Sequence, residues 1–443
     1  MTGPGGRAEE LDCVVVGGGL AGLACAHGLA AAGRAVHLVD GGPSPGGRAR
    51  TVWHRGRPVD CGFQVLLRAY PRTRELIRAV GIPRADLRPV AGGAVFLDGR
   101  GAPRLGISKL AVAGFSGLDG PDRMRLARLG AEVALRSPAS LLADDEAGVT
   151  TETFLRGRGF SDEAIEGVLR PLFGVILLDR GLSADAGYFR FLLAMLARGP
   201  AVIPSDGLGM IAEWTSAAIR QRGGAVELGV RVTALEPDAQ GRRIVGVRTA
   251  DGRLLRARQI VLAVESPAAR ELLEPLDPAS TARLPADAAS AATAAFALRR
   301  PLYRGRNILL NAAPDSPERP RVDLLCQTTN ITRPGAPEGP HILLATSVTT
   351  GGGSADGLVD AVGALVRRWS PGFDWSGLAE PIDVFEHPFA QFRPLPGVRG
   401  GLPGPRTAVE NLVLAGDLTT HPSIEGAVAS GARAAGIVDA LIP

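Results

Sequence analysis

The sequence predicts an α/β protein in which a Rossmann-like nucleotide-binding domain is interleaved with a second, α+β domain. Two observations carry this. The N-terminal segment reads as strand, glycine turn, helix, strand and terminal acid, the first βαβ unit of a dinucleotide fold. The C-terminal segment reads as one more buried strand, closed by Gly416-Asp417 and followed by a helix of small residues. A chain of 443 residues allows two or three cores at roughly 100 to 200 residues per domain.

In the N-terminal unit, Leu11 to Val16 form the first strand, and Gly17-Gly18-Gly19-Leu20-Ala21-Gly22 opens an Ala/Leu-rich helix that ends at Gly33. Gly17 serves the tight turn, Gly19 lets backbone approach a pyrophosphate, and Gly22 lets the helix pack closely on the sheet. The helix N-terminus supplies unpaired N–H groups to the phosphate charge. Arg34 to Val39 form the second strand, and Asp40 closes it, placed to accept from ribose hydroxyls. Gly46-Gly47-Arg48-Ala49-Arg50 is a second glycine turn carrying cations, which a plain NAD domain does not need. Arg48 and Arg50 would neutralise pyrophosphate there, although a solvated basic turn also accounts for them in isolation.

At the other end, Asn411 to Ala415 read as a strand, and Pro422-Ser423-Ile424-Glu425-Gly426-Ala427 opens a helix running through Ser430-Gly431-Ala432. Asp417, just past the strand, would hold a ribityl hydroxyl. A helix N-terminus at Ser423 and Ile424, aimed at the pyrimidine end of a flavin, would stabilise negative charge there.

The segments VVVGGGLAGLACAHGLAAAGRAVHLVDGGPSPGGRAR and LVLAGDLTTHPSIEGAVASGARAAGIV resemble the FAD-dependent amine oxidase and phytoene desaturase superfamily, which includes protoporphyrinogen oxidase-like proteins. The form of the second segment is closer to the desaturase branch. The two motifs cover about a sixth of the chain, and their pairing is far more specific than either alone. The resemblance implies an FAD-binding domain and an α+β substrate-binding domain. A third segment, Val202 to Met210, then a helix, Gly223-Gly224 and strand material from Ala225 to Leu235, is similar to the family's P-x-G-G-M element. It places the backbone of Val232 at the adenine. Gly62, in Asp60-Cys61-Gly62-Phe63-Gln64, occupies the place where relatives bring backbone against the flavin ring.

The resulting plan assigns 1–92, 199–285 and 395–443 to the FAD domain and 93–198 and 286–394 to the substrate domain. Arg258 to Val264 are a further buried strand, and 312–320 and 333–340, rich in Pro and Gly, read as loops. Gly207-x-Gly209 imitates a second nucleotide fingerprint, but Pro204 stands immediately upstream and no strand is expected to feed it as NADPH binding requires.

The candidate catalytic residues are His387, His421 and Gln64. Either imidazole could accept a proton near neutral pH, and a structural or surface histidine is the simpler account of each. Gln64 could bond near the ring or be a buried amide satisfied by backbone. The resemblance implies hydride transfer from a substrate C–H to flavin N5, which needs positioning more than any particular side chain. In monoamine oxidases the covalent flavin link uses a C-terminal cysteine. No cysteine follows Cys326 here, so the FAD is expected to be non-covalent.

Composition narrows the partners. Forty-nine basic against 45 acidic residues leave +4, no nucleic-acid footprint. The four cysteines show no C-x-x-C spacing and no histidine cluster, so neither a metal site nor a disulfide framework is indicated, and a reducing cytoplasm fits. The polar N-terminus is unlike a signal peptide, and no apolar run spans a bilayer. Phe115, Leu118 and nearby arginines are a candidate entrance at the inner face of a membrane.

The leading reading is C–C desaturation of an apolar, isoprenoid-like compound, with oxygen or a quinone as electron acceptor. Pro171 to Leu178 and Tyr188 to Leu193 are apolar enough to line a lipid-sized tunnel, and a core helix and strand explain them equally well. Oxidation of a small amine is the first alternative. It is disfavoured because the family's amine oxidases often set an aromatic pair before the ring and a lysine near N5. This chain has only three tyrosines, Tyr70, Tyr188 and Tyr303, and one lysine, Lys109. A redox-neutral, flavin-dependent isomerase and a non-enzymatic flavin scaffold are the remaining alternatives.

Overall fold

Cys13 to Val16 are almost wholly removed from solvent, as a strand covered on both faces must be. A computed structural model describes residues 11–98, 103–104, 118–143, 148–314, 316–317, 319–334, 339–349 and 355–442. In it, Leu11–Val16 lies at the middle of a mostly parallel sheet. Val36–Asp40 and Leu254–Leu262 flank it, with Cys13 opposite Val36 on one side and Gln259 on the other. Ala225–Leu228 continues the sheet beyond Val36–Asp40, and Leu412–Leu414 beyond Leu254–Leu262, both parallel. Ile244–Thr249 and Val232–Pro237 extend it antiparallel from the first half of Leu254–Leu262.

The expected continuous strand from Ala225 to Leu235 is therefore two strands in different parts of one sheet. Gly229 separates them with φ of +74°, a left-handed backbone suited to glycine. The first segment pairs with Val36–Asp40 and the second with Ile244–Thr249. The strand that precedes Gly207 does not feed it as a nucleotide fingerprint requires, as expected. It is Ala201–Pro204, antiparallel to Leu66–Leu67 and Leu87–Pro89 in a separate small sheet. A Cβ at Gly207 would lie 2.5 Å from Oδ1 of Asp60, and one at Gly209 2.8 Å from the backbone nitrogen of Thr51. Those glycines seat the turn on protein.

The helix Leu20–Ala31 is buried on nearly every side, which explains its lack of a polar face. Small residues let the C-terminal helix Ile424–Leu441 approach it. A Cβ on Gly431 would stand 2.0 Å from the carbonyl oxygen of Ala21, and one on Gly28 2.8 Å from Cβ of Ala435.

A second seven-stranded sheet has the alanine-rich strand Ala288–Leu298 next to one edge, antiparallel to His341–Thr349 on its inner side and to the edge strand Ala379–Phe392 on the other. Leu324–Gln327, Asn307–Asn311, Gly93–Leu97 and Pro103–Arg104 complete it. The apolar stripe of Leu358–Trp369 covers one face through Leu358, Val362 and Leu365. The helices Gly120–Leu135, Arg170–Ile176 and Ala186–Arg198 all contribute residues to the lining of one cavity. Tyr188 to Leu193, weighed in sequence as core strand, belong to a helix.

Candidate active site

The parallel strands deliver their carboxyl ends to one place, as open α/β sheets do. Gly17 follows Val16, Asp40 ends its own strand, Ala263, Val264 and Glu265 follow Leu262, and Gly416-Asp417 follow Leu414 shortly after. All of these line a cavity of about 1280 Å³.

The glycine turn is built as its spacing predicts. Gly17 has φ of +111°, and a Cβ there would lie 2.4 Å from the carbonyl oxygen of Ala263. A Cβ on Gly22 would stand 1.9 Å from the carbonyl oxygen of Gly17, so helix and turn touch backbone to backbone. Gly19 differs, because a Cβ there would meet no protein atom within 4 Å and would project where the cavity lies. Gly19 is also the N-cap of Leu20–Ala31 and offers no side-chain cap, which leaves first-turn N–H groups free for an anion. Asp40 braces the turn: Oδ2 accepts from the N–H of Gly18 and Oδ1 from that of Gly42, both at 2.6 Å. The second glycine turn docks on the first, the N–H of Gly46 donating to the carbonyl of Gly18 at 2.8 Å. Gly47 lines the cavity beside it.

Arg48 ties three segments together. It donates to the carbonyl of Ala390 at 2.7 Å and to Oδ2 of Asp417 at 2.9 Å, and its Nε lies 3.6 Å from Oε1 of Glu265. On the opposite wall, Ser423 caps the C-terminal helix, its Oγ accepting from the N–H of Gly426 at 2.9 Å, and Ile424 begins that helix at the cavity. Gly62, Gln64 and His387 meet on a further wall. Nε2 of His387 is 2.8 Å from the carbonyl oxygen of Cys61, and a carbonyl only accepts, so Nε2 carries the proton. A Cβ on Gly62 would lie 3.1 Å from that same nitrogen. The amide of Gln64 donates to the carbonyl of Arg48 at 3.2 Å, the backbone-satisfied alternative.

The rest of the cavity is mostly apolar, with Arg68 and Arg198 among its polar lining residues. Leu126, Leu172, Leu192, Leu196, Ile308 and Leu324 are among its lining residues. The carboxylates that line it are Asp40, Glu265 and Asp417, all at the end where the parallel strands finish.

The sequence pattern that describes flavin containing amine oxidoreductases matches residues 20–439, nearly the whole chain. The chain belongs to this family. Over 58 residues it is 53% identical to hydroxyneurosporene desaturase of Rhodobacter capsulatus, a match spanning 13% of this chain and 12% of the desaturase. Among solved structures it resembles an oxidoreductase from Methanosarcina mazei, with a TM-score of 0.71 at 18% identity over 96% of this chain and 99% of that one. It likewise resembles putrescine oxidase bound to putrescine, at 0.69 and 18% over 97% and 99%. These likenesses show a shared fold.

The protein is thus an FAD-dependent oxidoreductase of the flavin containing amine oxidoreductase family, acting on small molecules. The donor set fits FAD: free helix N–H groups and a glycine with room above it at one wall, a second helix N-terminus at the other. Among the described residues no cysteine lines the cavity and no group of three His, Cys, Asp or Glu side chains could hold a metal.

Several expected site residues stand elsewhere. His421 is buried behind the cavity wall against Phe191 and Tyr188, ring centroids 4.9 and 5.9 Å away, with Nδ1 bonded to Ser423 at 3.0 Å. Burial, reinforced by the charge of Arg399, pushes its pKa down to about 3, so it is no base near neutral pH. Arg50 turns to the thiol of Cys61, away from the cavity, and the charge of Arg48 is answered by Asp417 and Glu265 instead of being free for phosphate. Val232 opens an edge strand outside the cavity lining. Its neighbour Val230 reaches the site's frame, its N–H donating to the carbonyl of Asp40 at 2.8 Å. Leu118 is buried, not an entrance residue, and Phe115 and Lys109 lie outside the described residues.

Glu265 and Tyr70 were not named as site residues from the sequence, whereas the apolar stretches at 171–178 and 188–193 were weighed as a tunnel lining. Glu265 was accessible from the rule that ligands sit beyond strand carboxyl ends. Tyr70 and Tyr188 both line the cavity, near-parallel to Phe191 with centroids 6.1 and 6.2 Å away. Leu172, Phe173, Val175, Ile176, Leu178, Leu192 and Leu193, for which core packing was an equal account, line it too.

Proposed function

We propose that this oxidoreductase desaturates a C–C bond of an apolar, isoprenoid-like compound. The observation that carries the proposal is the apolar part of the cavity, which is walled by aliphatic side chains and has no carboxylate to hold an ammonium group. The short, strong match to hydroxyneurosporene desaturase supports the same substrate class.

FAD supplies, when bound, the acceptor for hydride from a substrate C–H. The residues proposed to hold it are Gly17, Gly19, Gly22, Asp40, Gly47, Arg48, Gly416, Asp417, Ser423 and Ile424, with Gly62 beside the ring. Gly19 and the N–H groups after it bind phosphate, and Asp40 has lone pairs beyond those taken by Gly18 and Gly42 for ribose hydroxyls. Arg48 orients Asp417 through its ion pair. His387 pins the Cys61-Gly62 backbone through Nε2, and its Nδ1 is the nitrogen able to take a proton from the substrate carbon next to the one losing hydride. The aliphatic wall excludes water. Oxygen or a quinone is the proposed acceptor. The division into an FAD domain of 1–92, 199–285 and 395–443 and a substrate domain between them belongs to the same proposal. Among the described residues no helix is long and apolar enough to cross a membrane.

The amine alternative draws on Tyr70 and Tyr188, but both rings are packed in a wall cluster with Phe191. Anaerobic titration of the holoenzyme with polyprenes and with mono- and diamines decides between the two. Bleaching of the flavin spectrum by a polyprene is expected; bleaching by amines alone, with peroxide on readmitting air, overturns the proposal.

A further inference from the structure

The apolar part of the cavity carries two cations, Arg68 and Arg198, with no carboxylate near them in the lining. They stand side by side because their segments pair. The N–H of Arg68 donates to the carbonyl of Pro200 at 3.2 Å, Leu67 pairs with Ala201, and a Cβ on Gly199 would lie 3.8 Å from Cβ of Arg68.

Their states differ. The guanidinium of Arg198 is engaged at the end of the helix Gly120–Leu135, donating to the carbonyls of Ala134 at 3.1 Å, Val133 at 3.4 Å and Arg136. That is the favourable place for a cation at a helix C-terminus. Arg68 is half-buried, and among the described residues its guanidinium has no hydrogen-bond or ion-pair partner. A guanidinium partly removed from water has five N–H donors to satisfy, and a carboxylate or phosphate satisfies them two at a time. The three carboxylates of the lining are engaged elsewhere, Asp417 and Glu265 with Arg48 and Asp40 with the N–H groups of Gly18 and Gly42.

We infer that Arg68 receives an anionic group, carboxylate or phosphate, at one end of the apolar substrate. This rests on the apolar-substrate reading above and deepens it. The pair of cations repels an ammonium group and selects an apolar acid over the neutral compound of the same length.

The test uses holoenzyme and one isoprenoid chain ending in carboxylate, phosphate monoester, alcohol or ammonium, with binding read by perturbation of the flavin spectrum and by equilibrium dialysis. At least one acid is expected to bind about tenfold tighter than the alcohol, and the ammonium compound more weakly than the alcohol. Whether carboxylate or phosphate leads identifies the anion. Arg68→Gln should bring the acid-to-alcohol ratio close to one, while Arg68→Lys, which keeps the charge, retains most of it and controls for folding. An alcohol bound as tightly as both acids, or a preference that survives Arg68→Gln, overturns the inference and leaves the apolar reading standing. If none of the four saturates and a short diamine does, the apolar reading falls and takes this inference with it.

Discussion

Glu425 and Thr73 join the C-terminal helix to the helix Pro71–Ala79: Oε2 of Glu425 accepts from both the backbone N–H and the hydroxyl of Thr73, at 3.0 and 2.8 Å. Oε1 accepts from the N–H of Arg72 at 2.9 Å, so a carboxylate in the first turn of the C-terminal helix caps the helix Pro71–Ala79. Glu425 is only 4% exposed. Glu425→Ala should therefore destabilise the fold by about 2 to 3 kcal/mol, because buried donors are left unmet. Glu425→Gln keeps one acceptor oxygen and should cost about 1 kcal/mol. Urea unfolding of the two variants beside the parent checks the order, and equal stabilities would exclude the capping role.

Asp60 provides a pH signature. Burial raises its pKa from 3.8 to about 6, more than the hydrogen bonds from Thr51 and the N–H of Leu208 lower it. Between about pH 4 and 6 the native protein keeps a proton that the unfolded chain has released. The stability from this group is therefore complete below pH 4 and lost as pH rises to about 6, roughly 3 kcal/mol in all. Asp60→Asn should remove that component. Relative to the parent, the variant gains stability between pH 4 and pH 7 in urea titrations; a constant difference across that range would refute the assignment.

His421 acts in the opposite sense. Its native pKa of about 3 lies below the ordinary 6.5, so the unfolded chain takes up a proton that the folded one refuses. Stability from this group is complete above pH 6.5 and is lost as pH falls toward about 3. Its ring resonances should not titrate between pH 5 and 8 in NMR spectra of the folded protein, and a midpoint in that range would show that the imidazole reaches solvent.

What the sequence disclosed depended on whether a residue's task is local. Gly17, Gly22 and Asp40 act within one βαβ unit, and their spacing reveals them. The partners of Arg48, Asp417 and Glu265, were not readable, because they come from distant strands that only the sheet brings together. His421 stands just after Gly416-Asp417, which pointed to the site, yet it packs against the rings of Phe191 and Tyr188 and does not line the cavity. The substrate walls were readable only as apolar stretches that could equally be core, because Leu192, which lines the cavity, follows the same helical periodicity as a core residue. Arg68 directly follows the short strand Leu66–Leu67, whose neighbour, Ala201–Pro204, is remote in sequence.

The glycines of the first turn give the sharpest separation of binding from folding. A Cβ on Gly22 must displace the carbonyl oxygen of Gly17, 1.9 Å away, in the closely packed contact between helix and sheet. Gly22→Ala should lower the unfolding midpoint of the apoprotein as well as its flavin content. Gly19 has φ of −69° and no protein atom within 4 Å of its Cβ position, so alanine is accommodated by the fold. Its methyl group would instead occupy the space into which the pyrophosphate is proposed to fit. Gly19→Ala should thus unfold as the parent apoprotein does while its FAD affinity falls at least tenfold, about 1.4 kcal/mol. Apoprotein unfolding together with flavin titration of both variants checks this. Tight FAD binding by Gly19→Ala would move the pyrophosphate away from this turn.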